Sequence, residues 1–473
     1  MDGTRSSTTT LSEKDSVSQT SSHFSASSLS YLAADAVVAR PAAGESIYHP
    51  APDGGRQAWL VVLGTSLAFF SSWGVLNAYG AFQAYYSTGL LKSASTSTIT
   101  LIGSMQLFVI YGVGPLVGKI TDAYGVAVVM PLGSSLVVLS LLLLSFCQQD
   151  QVYQVFLAHG VLFGLGSACV FTPSFTCVGQ HFSSRRSYAL SIAGAAASLG
   201  GMLFPIILQQ LITKIGFPWA VRTIALCTIP CLATSCLTVK TWLPPSRDLS
   251  LRSAVDFRGF RSLNYALAAV GSFLVFLVIF IPFFFINTYG YAHGVQPEIS
   301  GYLVTIINAF TIPARIIPGL LADYFGVLPV LVPSILMTGV LVLGMWTFST
   351  GAAAIFAFAC LYGLLSGSFT VLLPSYIAQI VPRESFGARL GSVYMAAAIA
   401  NLIGPTVAGS FFADSSVISQ SEFNRLIIFT GLSMSGGGVF FGAAHLLDVR
   451  RSSSLKVDAA DTDSDSEKNA RTM

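Results

Sequence analysis

The sequence predicts an all-α integral membrane protein, with twelve transmembrane helices in two pseudo-symmetric six-helix bundles. Three observations carry that prediction. Hydrophobic residues make up 53% of the 473 positions and charged residues only 10%, against roughly a quarter charged in an ordinary soluble domain. Mean hydropathy is +0.70. So few charges cannot coat a water-facing surface, which excludes a soluble enzyme, a disordered regulator and a nucleic-acid binder. Twelve apolar segments are long enough to cross ~30 Å of hydrocarbon at ~1.5 Å per residue. Landmarks in the first six segments recur in the last six at one spacing.

The segments are 58–83, 97–119, 127–147, 152–178, 188–213, 220–243, 263–288, 299–321, 327–348, 352–380, 386–412 and 423–447. Before them, Thr4 to Ser30 is dominated by Ser and Thr with no apolar period. Residues 1–52 therefore read as a disordered tail, and 448–473, with the acidic run Asp458 to Glu467, as a second one. Both tails are candidates for phosphorylation. No apolar stretch follows Met1, which predicts no cleaved signal peptide and leaves targeting to the first span.

Charge placement sets the expected orientation. With both tails inside, the internal loops hold Lys119, Arg185, Arg186, Lys240, Arg247, Arg252, Arg258, Arg261, Arg383 and Arg389, and the external loops only Lys92, Lys214, Arg222 and Arg425. That asymmetry satisfies the positive-inside rule and puts both termini in the cytosol. No sorting signal is readable, so the plasma membrane is expected ahead of the vacuole. The loop Pro244 to Arg261 is the longest internal one and the richest in basic charge. It divides the chain into bundles of residues 53–243 and 263–447, joined by a linker at 244–262.

The repeat supports that division. Gly118, Asp122 and Gly125 follow span two as G-x-x-x-D-x-x-G, and Gly319, Asp323 and Gly326 follow span eight, 201 residues later. Pro173-Ser174 recurs as Pro374-Ser375 and Ser191 as Ser392 at the same offset. Such spacing indicates parallel halves about an axis along the membrane normal, with a substrate site between them at mid-depth. In the repeated segment, glycine permits a tight turn and close helix approach. The aspartate can bond a neighbouring helix N-terminus or a loop arginine, with Arg185 and Arg186 as candidates in the first half. A contact made in one conformation and lost in the other acts as a latch; an ordinary tight loop is the competing reading.

These residues resemble a known family. The repeated segment is similar to the cytosolic signature of the major facilitator superfamily, over residues 53 to 447. Asp53-Gly54-Gly55-Arg56-Gln57-Ala58-Trp59 and His181-Phe182-Ser183-Ser184-Arg185-Arg186, with Ala189 and Gly194, resemble two motifs of its monocarboxylate porter family, and the Ser/Thr-rich tail resembles fungal members. The resemblance implies the major facilitator fold and alternating-access carriage of a small solute, often a carboxylate with a proton. Fungal members also take up vitamins or export secondary metabolites.

Arg315 stands out within span eight, ~12 Å inside Asp323 by helix pitch. A buried arginine costs at least ~2.5–3.5 kcal/mol unless it meets water or a counter-charge. Every Asp and Glu of the chain sits in a tail, a loop or at a helix end, so an incoming anion is the natural partner. The family implication is the same: an arginine at this position binds the substrate carboxylate. Snorkelling to the inner face, or pairing with Asp323 or Glu384, is the alternative. The family's acid one turn earlier is Thr311 here, and its lysine in span one is missing, which removes the usual proton-coupling groups. Coupling would then fall to His159, His445 or a carboxylate near a face, or be absent.

Further pore candidates are polar groups in apolar helices: Asn77, Tyr79 and Gln83 in span one, Asn308 and Thr311 before Arg315, Asn287 in span seven, Tyr376 in span ten and Asn401 in span eleven. Each could equally bond another helix. The 34 Phe and 17 Tyr are expected mostly at lipid-facing or interfacial positions, with Phe283-Phe284-Phe285 as lipid or packing surface. The seven cysteines fall in apolar stretches and read as packing residues. No paired carboxylates, histidine cluster or nucleotide loop lies in the spans, so neither an enzyme nor a metal or cofactor site is expected. The expected partners are a small organic solute, with a proton as an open second ligand, and the lipid bilayer, with no nucleic acid; the chain is expected to act as a monomer. A monocarboxylate or related organic anion is the first reading. An exporter of a hydrophobic or neutral secondary metabolite, or a vitamin-type uptake carrier, is the second.

Overall fold

The computed structural model describes residues 52–183, 185–242, 254–381, 386–412 and 420–471, with side-chain surroundings through 450. The expected tail at 1–51 and the linker from 244 to 253 lie outside the described residues. Helix is the sole regular structure among the described residues. In chain order the spans are α1 (Gly55–Leu90), α2 (Thr96–Tyr124), α3 (Val126–Leu144) and α4 (Val152–His181). The run Arg186–Thr238 forms α5 and α6, broken at Gly216. Then come α7 (Leu263–Ala292), α8 (Leu303–Phe325), α9 (Val327–Trp346), α10 (Ala352–Ile380), α11 (Phe386–Ser410) and α12 (Gln420–Arg471).

The breaks follow from glycine. Gly125, Gly216 and Gly326 take φ of 80°, 79° and 89°, a left-handed backbone that L side chains adopt only under strain. Gly125 N–H bonds back to the Thr121 carbonyl at 2.8 Å and Gly326 N–H to Ala322 at 2.9 Å. One residue thus ends a helix and the next begins another. The two copies of the repeated segment have the same geometry and mark the inner end of the bundle. α1 is segmented (Gly55–Ser71, Trp73–Asn77, Tyr79–Tyr85). At its first break the Ser71 and Ser72 hydroxyls donate to the carbonyls of Leu67 and Ala68 at 2.9 and 2.8 Å, bonds that compete with the helical ladder and bend it.

At the outer end the first six helices close on the last six. Gly80 of α1 lies against the Phe283 carbonyl of α7. The Gln210 amide of α5 donates to the Tyr302 hydroxyl, just before α8, at 2.7 Å, and the Ser97 hydroxyl of α2 to the Thr406 carbonyl of α11 at 3.3 Å. Phe283, Phe284 and Phe285 are buried and serve this packing. Phe284 lies 4.9 Å from Tyr79, and Phe285 stacks on Phe412 at 5.4 Å. The largest fully buried side chains are nearly all Tyr and Phe, so many aromatics expected at the lipid surface are core residues instead.

Near the inner end, the motif at Asp53 and the one at His181 meet. The Asp53 carboxylate accepts the Ser183 N–H and hydroxyl, each at 2.5 Å. Its own N–H donates to the His181 carbonyl at 3.0 Å, and Trp59 packs edge-on to Phe182 at 5.4 Å. At the other terminus α12 runs on as helix to Arg471, through a segment whose composition reads as a disordered tail. Propagation from an existing helix avoids the nucleation cost that an isolated polar segment faces.

Candidate functional site

A cavity of about 1050 Å³ runs from the inner end to mid-depth between α2, α4, the start of α5, residues 254–258 and α11. Gly391 of α11 touches Pro115 of α2 in its wall, and Gly118, Lys119 and Asp122 line it toward the inner end. Its deep wall is aromatic, formed by Tyr111, Phe171, Phe175 and Tyr394. Tyr111 lies 5.0 Å from Tyr394 and 5.6 Å from Trp73, and Trp73 lies 5.1 Å from Phe171. Ring pairs of this kind add ~0.5–1.5 kcal/mol beyond burial and hold the wall in shape. Trp73 stands behind this wall and is not part of the lining, and its Nε1–H is buried without an acceptor, an unfavourable state.

The polar lining carries Lys119, Arg186 and Arg258 against Asp122 and Asp256. Asp256 is already engaged: it accepts the Arg258 N–H at 2.9 Å and pairs with Arg389 at 3.3 Å. Those contacts hold its carboxyl below the usual carboxylate range. The cavity is thus left with a surplus of positive charge.

Arg315 sits behind the aromatic wall, 8% exposed, where α8 packs on α5. Its guanidinium donates to the Gly194 carbonyl of α5, and Nε has no partner. Among the described residues no carboxylate pairs with it, and Glu384 lies outside them. The side chain is not part of the cavity lining; it stands one layer behind Tyr111. The 201-residue offset maps Arg315 onto Gly114, which lines the cavity. The site is therefore asymmetric: a cation in one half faces space in the other.

Two of the amides meet where α8 crosses α1. The Asn308 side chain donates to the carbonyls of Val304 (2.9 Å) and Asn77 (3.4 Å) and crowds Gly201 of α5. One polar atom on each of Asn77, Gln83, Asn308 and Asn401 is buried without a partner. None of these four lines the cavity. Other candidates have structural partners. The Thr311 hydroxyl donates to Ile307 at 2.7 Å, and Tyr79 to the Ile99 carbonyl. Asn287 accepts the Val304 N–H at 3.1 Å and so fixes the start of α8. Tyr376 donates to Asp448 at 3.3 Å, between α10 and α12. His159 is fully buried, its Nδ1 2.8 Å from the Tyr86 hydroxyl and its ring beside Phe82 and Phe163.

Asp122 of the first repeated segment lines the cavity beside Lys119, and among the described residues neither Arg185 nor Arg186 pairs with it. Arg185 is exposed, whereas Arg186 stacks over the Phe386 ring of α11 at 4.7 Å. In the second copy Gly319 lies against the Ser191 hydroxyl of α5, so α5 and α8 are packed at the inner end. Sequence reasoning missed the aromatic wall. A signal existed: Tyr111, Gly114 and Gly118 share one face of α2 at i, i+3 and i+7, a small-residue stripe beside one ring.

Comparison with known proteins follows the same lines. The model of the Major Facilitator Superfamily matches residues 61–317 and 268–462. The aspyridones efflux protein apdF of Emericella nidulans is 34% identical over 413 residues, covering 86% of this chain and 82% of its own. The agnestins efflux protein AgnL12 of Paecilomyces divaricatus is 35% identical over 390 residues, covering 82% and 88%. Among solved structures, the human organic anion transporter MFSD10 superposes with a TM-score of 0.60 at 16% identity, covering 83% of this chain and all of that one. A twelve-span fold closed at one end around an open cavity, together with these matches, makes this chain a multi-pass membrane transporter of the major facilitator superfamily.

Proposed function

We propose that this carrier exports a medium-sized aromatic organic acid from the cytosol by alternating access, within the fungal, monocarboxylate porter-like branch of the superfamily. The observation that carries the reading is the pairing of an aromatic-walled cavity with an acid-free guanidinium one layer behind it. A cavity of about 1050 Å³ lies at the upper end of small-molecule sites and is far larger than a short-chain monocarboxylate needs. Relatives named as efflux proteins for aspyridones and agnestins support export of a secondary metabolite over lactate-type uptake. A buried arginine without a carboxylate favours an anionic group on the solute.

In this reading the structure is the inward-facing state, loaded from the cytosol. The solute stacks on Tyr111, Phe171 and Tyr394, meets Trp73 Nε1–H, and draws the Arg315 side chain off the Gly194 carbonyl. Rocking of the halves parts the outer contacts at Gly80, Ser97 and Gln210 and closes the inner ones, with Asp122 reaching the Arg185–Arg186 corner as the latch. The unpartnered amides of Asn77, Gln83, Asn308 and Asn401 then reach water or cargo as their crossing opens. His159, packed among Tyr86, Phe82 and Phe163, does not line the cavity, so coupling is not assigned to it.

A metabolite comparison tests the proposal. A strain lacking the carrier, complemented with wild type or Arg315→Ala, is compared inside and outside the cell. Export predicts an aromatic acid retained in the deletion and Arg315→Ala cells and released by wild type. Depletion of that solute inside the deletion cells would mean uptake instead.

A further inference from the structure

We infer that Arg186 is a second anion subsite, at the inner mouth of the cavity, which receives the acidic group of an aromatic solute before Arg315 takes it at mid-depth. This rests on the proposed function and adds a route to it. Arg186 lines the cavity and forms no ion pair among the described residues. Its guanidinium lies between two surfaces. Phe386 lies beneath it at 4.7 Å, and Gly179 of α4 leaves the space its nitrogens occupy, since a Cβ there would lie 3.0 Å from Nη2. A stacked, planar guanidinium keeps its in-plane donors free for an oxyanion.

Two tyrosine rings line the cavity with Arg186: Tyr394 and Tyr111, which lie 5.0 Å apart. Arg186 and Gly194, whose carbonyl holds Arg315, are eight residues apart on α5, a rise of ~12 Å. A fused aromatic acid spans that gap with its rings on the tyrosines. Its carboxylate can pass from the Arg186 guanidinium at the mouth to the Arg315 guanidinium at mid-depth. Lys119 and Arg258 raise the potential at the same mouth, so the subsite concentrates anions there.

Rim charges govern association and its salt dependence, whereas buried partners govern dissociation. The test uses the full chain in nanodiscs, with 2-naphthoate and its neutral amide, 2-naphthamide, followed by stopped-flow fluorescence. Arg186→Ala should slow 2-naphthoate association about tenfold, about 1.4 kcal/mol in the rate barrier. It should flatten the salt dependence of that rate and leave dissociation and 2-naphthamide binding unchanged. Arg186→Lys should restore most of the rate, because charge rather than shape attracts the anion. Arg315→Ala should instead speed 2-naphthoate dissociation. If Arg186→Ala leaves the association rate and its salt slope at wild-type values while Arg315→Ala speeds release, the subsite is refuted and the proposed function stands. Equal weakening of both compounds by Arg186→Ala also refutes it, since that is the mark of a damaged wall. Should Arg186→Ala fail to fold, Arg186→Gln and the salt slope of the wild type decide. A wild type that does not prefer the acid over the amide overturns the proposed function and the subsite together.

Discussion

Replacing Gly80 with alanine should hold the outer end open. In the present structure a Cβ at residue 80 would fall inside van der Waals contact with the Phe283 carbonyl oxygen and 3.3 Å from its carbonyl carbon. Both atoms are main chain of α7, so no rotamer change relieves the clash. The outer halves of α1 and α7 would have to part by about 1 Å, and overpacking of this kind costs ~1–3 kcal/mol. The cost falls only on the state in which this end is closed. It therefore shifts the balance of states outward by roughly 5- to 150-fold. Spin labels on cysteines introduced at Thr88 and Tyr291, exposed at the outer ends of α1 and α7, report the separation once the native cysteines are replaced. Wild type should give mainly the short distance and Gly80→Ala mainly a longer one, with turnover reduced. Gly344, where a Cβ meets nothing within 4 Å, is the control: Gly344→Ala should change neither. An unchanged distance distribution in Gly80→Ala would show that the α1–α7 contact does not close the outer end.

Three further outcomes are expected. Asp122→Asn should slow turnover more than it weakens solute binding, because Asp122 is unlatched in the state that binds from the inner side; an unchanged maximal rate would refute the latch. Trp73→Phe removes a buried donor that has no acceptor in the empty protein. It should leave thermal stability equal or raised while weakening binding of an aromatic acid by ~0.5–1.5 kcal/mol, and lowered stability with intact binding would contradict the assigned role. The Asp256–Arg389 pair, whose carboxyl is held below the usual range, should stay made above the unfolded carboxylate value of ~3.9 and weaken only as pH falls through its lower folded value. The stability difference between wild type and Asp256→Asn should therefore be constant from pH 8 to 5, and a change in that window would contradict the pairing.

The spans were legible because a twenty-residue apolar stretch has few alternatives in a membrane, and the turns because Gly125 and Gly326 repeat at a fixed offset. Gly216 was a less visible break: the apolar pattern runs on to either side of it, and only its left-handed backbone separates α5 from α6. The aromatic wall was hidden because lipid tails and a bundle core are both apolar, so composition does not tell Tyr111, turned inward, from Tyr324, which is 86% exposed. Arg315 was conspicuous as a charge without an acid. Its resting place on the Gly194 carbonyl was not, because a main-chain acceptor on another helix leaves no mark in the sequence. For the same reason Asn287 and Tyr376 looked like pore groups, whereas the partners that occupy them, Val304 N–H and Asp448, lie on elements distant in the chain or in another helix. Arg186 was read as a latch residue from its loop, and only the packing of Phe386 and Gly179 around it shows the guanidinium at the cavity wall.

The most direct test of the account is efflux of 2-naphthoate and 2-naphthamide from liposomes holding wild type or Arg315→Ala, each shown to be folded and equally incorporated. The account predicts that wild type releases the acid well above the protein-free leak and that Arg315→Ala reduces that release to the leak, with any carriage of the amide the same in both. Release of the acid by Arg315→Ala at the wild-type rate would contradict it.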